Sequence, residues 1–272
     1  MSFMKNQLQL QYQGFINTPL LWKNSDVMGL HQLLLPEQHV SQFTTLEQPN
    51  IRLGKRVEQF VFFELSTFNN IKILLKNTQI QNNKQTIGEI DCILQLDQTF
   101  IHLEIVYKFY LYDPNHGHTE IEHWIGPNRK DTLLKKITKL KNKQLPLLYN
   151  QHTQKVLKPL QLQSASIKQQ VYFKAQLFLP FEDVDVPFKI LNKACVSGFY
   201  MHYTRIDELQ HCKFFMPDKI DLLQETQNQV DWCSYSTFCD KIAPIIEQKT
   251  APLCWVKFPK GRIQKCFIVW WP

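Results

Sequence analysis

Glycine is scarce in this sequence, and the motifs that depend on glycine are missing with it. Only eight of the 272 residues are glycine. The chain has no glycine-rich phosphate-binding loop and no Gly-x-Ser-x-Gly element, so the common signatures of P-loop nucleotide enzymes and of serine hydrolases are absent. No motif therefore favours a small-molecule enzyme of these classes.

Long apolar runs and paired cysteines are missing as well. No window approaches the ~18 uninterrupted apolar residues of a membrane span, and the first residues lack the apolar core of a secretory signal. Seven cysteines are scattered without a Cys-x-x-Cys pair, which is typical of reduced thiols and not of a disulfide framework. These absences predict a cytoplasmic protein without a membrane partner.

The composition indicates a folded chain. Hydrophobic residues make up 44% of the sequence and aromatic residues 12%, which excludes a wholly disordered chain and allows a sizeable core. The length allows one large domain or two small ones. The formal net charge of +7 permits an anionic partner but identifies none.

Apolar periodicity predicts an α/β fold whose central part spans 51–185, with an acidic stretch at 182–185 marking its end. The oligomeric state does not follow from the pattern. The predicted elements, in chain order, are a helical lead-in over 1–50, a helix at 55–68, strands at 71–80, 87–96 and 100–111, a helix at 128–144, a strand at 171–179 and a C-terminal α+β part over 186–272.

The clearest signal is the period-2 alternation in 87–96 and 100–111. Apolar residues occupy the even positions of the first strand and the odd positions of the second, so Asp91 and Glu104 each fall on a polar face. Asp97-Gln98 is a tight connection that predicts an antiparallel hairpin. Asp91 and Glu104 are therefore expected on neighbouring strands.

Two carboxylates on neighbouring strands are suited to binding a divalent cation. Mg²⁺ is usually held by one or two carboxylates together with waters and substrate phosphate, and Mn²⁺ is the expected substitute. Such a metal polarises a phosphoryl group and lowers the pKa of a water. Lys108 shares the face of Glu104, and its ammonium is expected to orient the attacking water. The competing interpretation is a pair of solvated surface acids.

A strongly basic segment follows these strands. Residues 129–143 contain seven Lys or Arg and one acid, Asp131. A lysine-rich stripe is usually a solvated helix face, and the alternative is contact with nucleic-acid phosphates. The candidate phosphate contacts are Arg129, Lys130, Lys135 and Lys136. Gln144, on the same helix, either completes the apolar face or contacts a nucleic-acid base or the active site, and it is counted with the nucleic-acid-binding candidates.

The run Gly88-Glu89-Ile90-Asp91, followed by Leu103-Glu104-Ile105, resembles the PD-(D/E)XK nuclease superfamily. That resemblance implies a restriction-endonuclease-like core with the order helix, three strands, helix, strand. A closer resemblance is to an uncharacterised bacterial family, the domain-of-unknown-function family numbered 1853, usually grouped with these nucleases. It is carried by the segments at 53–58, 88–91, 108–111, 124–129 and 144–147.

The resemblance assigns Asp91 and Glu104 as metal-binding acids and Glu58 as an additional acid from the first helix. The alternative for Glu58 is a surface acid paired with Arg56 or Lys55. The resemblance departs at Val106, which stands where the superfamily motif has lysine. Lys108 is four residues beyond Glu104, roughly 13 Å along a strand. The implied function is a Mg²⁺-dependent nuclease, with DNA favoured over RNA. The alternative is an inactive nuclease-fold protein that binds nucleic acid or another protein.

Overall fold

The computed structural model describes residues 2–23, 26–36, 42–44, 51–182 and 186–272. These residues form a mixed α/β fold with a large mixed sheet, as the sequence predicts at that level. The described α-helices are α1 (Ser2–Asn17), α2 (Leu53–Ser66), α3 (Leu133–Lys139), α4 (Gln151–Leu157) and α5 (Tyr235–Glu247). The strands are β1 (Ile71–Asn82), β2 (Gln85–Leu96), β3 (Thr99–Tyr112), β4 (Trp124–Ile125), β5 (Ile167–Pro180), β6 (Val196–His202), β7 (Lys213–Phe215), β8 (Leu253–Lys257) and β9 (Ile263–Val269).

Neighbouring strands follow the order β1-β2-β3-β5-β6-β9-β8-β7, and β4 pairs with β3. The chain divides into two compact units. The first unit comprises 1–19, 108–133 and 175–272, and the second comprises 20–107 and 134–174. No helix within the described ranges is both long enough and apolar enough to span a membrane.

The second unit contains the predicted hairpin. β1 pairs with β2 and β2 pairs with β3, both antiparallel. The turn between β2 and β3 is tight because Asp97 adopts a φ of 51°, in the left-handed region that aspartate tolerates. The helix α2 buries one face at helical spacing, through Val57, Phe60, Val61 and Leu65. The predicted strands and the first helix are thus confirmed within a few residues at each end.

The first unit holds the C-terminal α+β part. β6 runs parallel to both β5 and β9, whereas β8 is antiparallel to its neighbours β9 and β7. α5 packs on this part of the sheet through Phe238, whose ring stacks on Phe214 with centroids 4.1 Å apart. Both rings are fully buried and belong to a cluster of buried residues within 199–268.

The helical lead-in predicted for 1–50 is wrong for the described residues beyond Asn17, which are 18–23, 26–36 and 42–44; the other residues of that prediction beyond Asn17 lie outside the described part of the chain. Two of these positions pair with β5: Leu20 bridges Lys174, and Gln32 bridges Val171. The N–H of Leu33 donates to the carbonyl of Val171 at 2.8 Å. Leu21, Leu30 and Leu33 in this stretch are buried although they are not part of a helix. The acidic boundary at 183–185 lies outside the described residues.

The helix predicted at 128–144 is also corrected. Arg129 has a φ of 56°, which a right-handed helix does not allow. Asn128 does not cap the helix, because its Oδ1 accepts the N–H of Ala251 at 2.8 Å. α3 begins only at Leu133, and its last turn passes into a π-helical segment at Leu140–Gln144.

Candidate active site

Asp91 and Glu104 lie beside each other where the β2–β3 ladder ends. The last paired residues are Cys92 and Leu103, and Asp91 and Glu104 are the next residue along each strand. The N–H of Ile105 donates to Asp91 Oδ2 at 2.9 Å. The Asp91 carboxylate thus accepts a backbone hydrogen bond of the kind that a backbone carbonyl accepts within the ladder. This bond holds the Asp91 side chain against β3.

Glu104 is fully buried, although the alternation predicted a polar face for it. Its two oxygens have separate partners: His102 Nε2 lies 3.1 Å from Oε1, and Gln144 Nε2 donates to Oε2 at 2.5 Å. Gln169 Nε2 approaches the other ring nitrogen of His102, Nδ1, at 3.4 Å. Both ring nitrogens of His102 therefore have a side-chain partner within hydrogen-bonding distance.

The π-helical segment explains how Gln144 reaches both Glu104 and a lysine on the same helix. Lys136 Nζ donates to Gln144 Oε1 at 2.8 Å. In a regular α-helix, eight residues turn through roughly 800°, about 80° beyond two full turns. The wider π turn over 140–144 absorbs this excess. Lys136 and Gln144 consequently occupy the same side of the helix and meet at the acids.

The charges of Glu104, Glu58 and Lys136 all act on the carboxyl group of Asp91. The pKa of Asp91 is raised to about 7, first by burial and next by the charge of Glu104, with a smaller contribution from Glu58. The N–H of Ile105 and the ammonium of Lys136 act in the opposite direction. Asp91 is therefore harder to ionise than an ordinary aspartate, and added positive charge would favour its ionised form.

The donor set fits a cation that takes few protein ligands. In the part of the chain that the structure describes, no three or more His, Cys, Asp or Glu side chains are arranged to hold a metal ion. Glu58 instead binds Lys55, whose Nζ lies 2.8 Å from Glu58 Oε2. Two crowded carboxylates completed by waters are a usual arrangement for Mg²⁺. Glu58 as a third ligand stays a prediction.

Two of the other predicted cations, Lys108 and Arg129, have partners in the first unit. Lys108 Nζ donates to Asp131 Oδ2 at 2.6 Å. Arg129 Nη1 donates to Asp113 Oδ2 at 2.8 Å, and its guanidinium lies 4.7 Å from the ring centre of Trp271. Lys130 is exposed in the turn before α3. Lys108 and Arg129 thus have structural partners that the sequence pattern did not reveal.

The second unit carries most of the basic stripe on α3 and the π-helical segment. Lys136 is half-buried and directed to Gln144. The remaining lysines of the stripe are exposed, and we call Lys135, Lys139, Lys141 and Lys143 the lysine face. The stripe therefore has one inward member beside the acids and four outward ones.

The family comparison covers nearly the whole chain. The model of the family described as domain of unknown function (DUF1853) matches residues 18–268. The chain belongs to this family. The DUF1853 match spans Asp91, Glu104, Lys136 and Gln144. No curated protein and no solved structure matches the chain.

Two residues of this DUF1853 site were missed by the sequence reasoning. His102 contacts Glu104, and Gln169 contacts His102. Neither residue belongs to the motif that identified the two acids. The signal for His102 was present, because it precedes Glu104 by two residues and so shares its face of the strand. For Gln169, which lies on β5, no local pattern points to the contact.

Proposed function

We propose that this DUF1853 chain is a metal-dependent phosphodiesterase that acts on nucleic acid, with Mg²⁺ or Mn²⁺ held by Asp91 and Glu104. One observation carries the proposal. Asp91 and Glu104 are neighbours at the end of the β2–β3 pair, and the charges of both Glu104 and Lys136 act on Asp91. Carboxylates this close are mutually destabilising when ionised, and a divalent cation offsets that repulsion.

The order of elements supports placing the chain in the PD-(D/E)XK superfamily. The succession α2, β1, β2, β3, α3, β5 corresponds to the expected core of helix, three strands, helix and strand. The two-residue β4 and the short α4 are insertions in that order. The proposed ligands lie on β2 and β3, as that resemblance requires.

The side chains around the acids have separate tasks in this proposal. A bound divalent cation would polarise the phosphoryl group and promote ionisation of a water. His102 and Gln144 hold the two oxygens of Glu104, so this carboxylate is already oriented. Lys136 supplies the positive charge that the sequence assigned to Lys108, and it would stabilise negative charge building on the phosphate.

The lysine face supplies the interaction with the nucleic-acid backbone. Four exposed ammonium groups follow one helical stretch, and cations of this kind bind phosphates without reading sequence. The proposal therefore includes no base-specific recognition. The choice of DNA over RNA rests on the superfamily resemblance alone.

The second candidate is a nuclease-fold protein that binds nucleic acid without cleaving it. Two observations favour it: Val106 replaces the motif lysine, and the ammonium of Lys108 is held by Asp131. The two candidates differ in whether Lys136 compensates for this loss.

A cleavage assay separates the candidates. Linear, nicked, branched and single-stranded substrates are incubated with the full chain in Mg²⁺ or Mn²⁺, beside Asp91→Ala, Glu104→Ala and the control Asp97→Asn in the β2–β3 turn, where asparagine keeps the left-handed φ. The nuclease proposal expects cleavage by the parent and by Asp97→Asn, and none by the other two variants or after chelation. Equal behaviour of all four proteins on every substrate would refute it.

A further inference from the structure

Lys265, at the start of β9 in the first unit, is a buried lysine beside a cavity. It is only 5% exposed. The cavity has a volume of about 580 Å³ and lies between the end of α1, the start of β6, the start of β9 and residues 223–226. Its polar lining includes Asn17, Gln176, Ser197, Glu225, Gln264 and Lys265.

The hydrogen bonds of Lys265 match those of an uncharged amine. Nζ donates to Gln176 Oε1 at 2.8 Å and to the carbonyl of Leu222 at 3.1 Å. An ammonium has three N–H groups to place, whereas a neutral amine has two and keeps a lone pair. Both N–H groups of the neutral form are thus used, and the lone pair remains for a ligand in the cavity.

The surroundings agree with this geometry. Burial lowers the pKa of Lys265 to about 7, and the charge of Glu225 only partly opposes that effect. Glu225 is held at the cavity by Asn17, whose Nδ2 donates to Oε1 at 3.0 Å. The cavity therefore combines a nucleophilic nitrogen with a carboxylate that can carry protons.

We propose that this cavity binds a small polar aldehyde or ketone, which condenses reversibly with Lys265 Nζ. The nitrogen lone pair forms a bond to the carbonyl carbon, and the carbonyl oxygen takes the proton that the nitrogen releases, with Glu225 as the carrier. The resulting carbinolamine then loses its hydroxyl together with the second hydrogen of the nitrogen as water, with Glu225 again carrying the proton, and a carbon–nitrogen double bond remains. No oxidant or reductant is consumed, and the step is independent of the acids in the second unit.

Reductive trapping tests the proposal on the full chain. Glyceraldehyde is added at neutral pH with cyanoborohydride, and each modified lysine is located and timed by peptide mass spectrometry. We expect Lys265 to be modified at least about tenfold faster than the exposed Lys260, because far more of its amine is uncharged at this pH. We also expect the rate at Lys265 to saturate with glyceraldehyde, as binding in a cavity requires.

Two variants complete the test. Lys265→Met should lose the fast modification and Lys260→Met should keep it, with circular dichroism confirming that each variant is folded. If Lys265→Met does not fold, the parent alone decides, because every other lysine is an internal reference. Modification of Lys265 no faster than of Lys260, or a rate that rises without saturation, would overturn the proposal.

Discussion

The side-chain amide of Gln144 donates to Glu104, with Nε2 2.5 Å from Oε2. The other end of the same amide accepts a hydrogen bond from Lys136 at 2.8 Å. One glutamine therefore orients a proposed metal ligand and the proposed phosphate-facing lysine together. This relationship makes Gln144 the most informative position for mutation outside the acids.

Replacing Gln144 with leucine should weaken both stability and cleavage. The buried Oε2 of Glu104 would lose its donor, which costs about 1–3 kcal/mol in the free energy of unfolding. Loss of a residue that orients a metal ligand typically reduces activity about 10–100-fold. Denaturant titrations and cleavage rates check the two effects. The control Gln154→Leu removes only an exposed contact to Ser164, and similar losses in both variants would contradict the assignment.

The two lysines should differ sharply in their effect on cleavage. Lys136→Ala is expected to lower the cleavage rate about 100-fold, because it removes the charge beside the acids. Lys108→Ala breaks a half-exposed pair with Asp131, which is worth at most about 1 kcal/mol, and should leave the rate within about threefold of the parent. Single-turnover kinetics measure both. A larger loss of cleavage rate in Lys108→Ala than in Lys136→Ala would instead support the sequence-based prediction that Lys108 orients the attacking water.

Asp91 should make stability depend on pH. Its pKa is raised from its ordinary 3.8 to about 7 by burial and by Glu104, so the folded state holds a proton that the unfolded chain releases. Stability from this group is complete below pH 3.8 and is lost as the pH rises through about 7.

Asp91→Asn should therefore raise the free energy of unfolding near pH 8 by roughly 1–3 kcal/mol, with little effect near pH 4. Denaturant unfolding at the two pH values provides the measurement. Mn²⁺ should reduce the difference in the free energy of unfolding between Asp91→Asn and the parent near pH 8, since it binds the parent more tightly. A variant less stable than the parent at the higher pH would show that Asp91 is not repelled by its neighbours.

The lysine face should govern binding to nucleic acid through salt-dependent contacts. In Lys141→Ala/Lys143→Ala, the slope of log affinity against log salt for duplex DNA should become shallower by about 2, because two phosphate contacts are lost. Lys260→Ala, a change at an exposed lysine of the first unit, serves as the control. Fluorescence anisotropy at several salt concentrations gives the slopes, and an unchanged slope in the double variant would exclude the lysine face as the contact surface.

The sequence predicts well where structure follows from local alternation. The hairpin carrying Asp91 and Glu104 was predicted because apolar residues mark one face of each strand and Asp97-Gln98 marks the turn. The same pattern could not show that the polar face is buried. Glu104 is covered by Gln144, which is forty residues away in the chain, and no window of local sequence contains that contact.

The errors arise where backbone pairing or helix geometry overrides apolar spacing. The leucines of 30–35 have helical spacing, yet this segment pairs with β5 at Gln32. The basic segment was predicted as one regular helix, and the π turn at 140–144 was invisible in its composition. That turn brings Lys136 and Gln144 to the same side, so the lysine beside the acids could be identified only from the structure.

Binding of Mn²⁺ tests the central claim, that Asp91 and Glu104 jointly hold a divalent cation, most directly. Mn²⁺ is titrated into the full chain near pH 8 and the free ion is followed by electron paramagnetic resonance, beside Asp91→Asn, Glu104→Gln and the control Asp97→Asn. The account predicts one saturable site in the parent and in Asp97→Asn, with affinity at least about tenfold weaker in the two site variants. Equal affinity in all four proteins, or no binding by the parent, would contradict it.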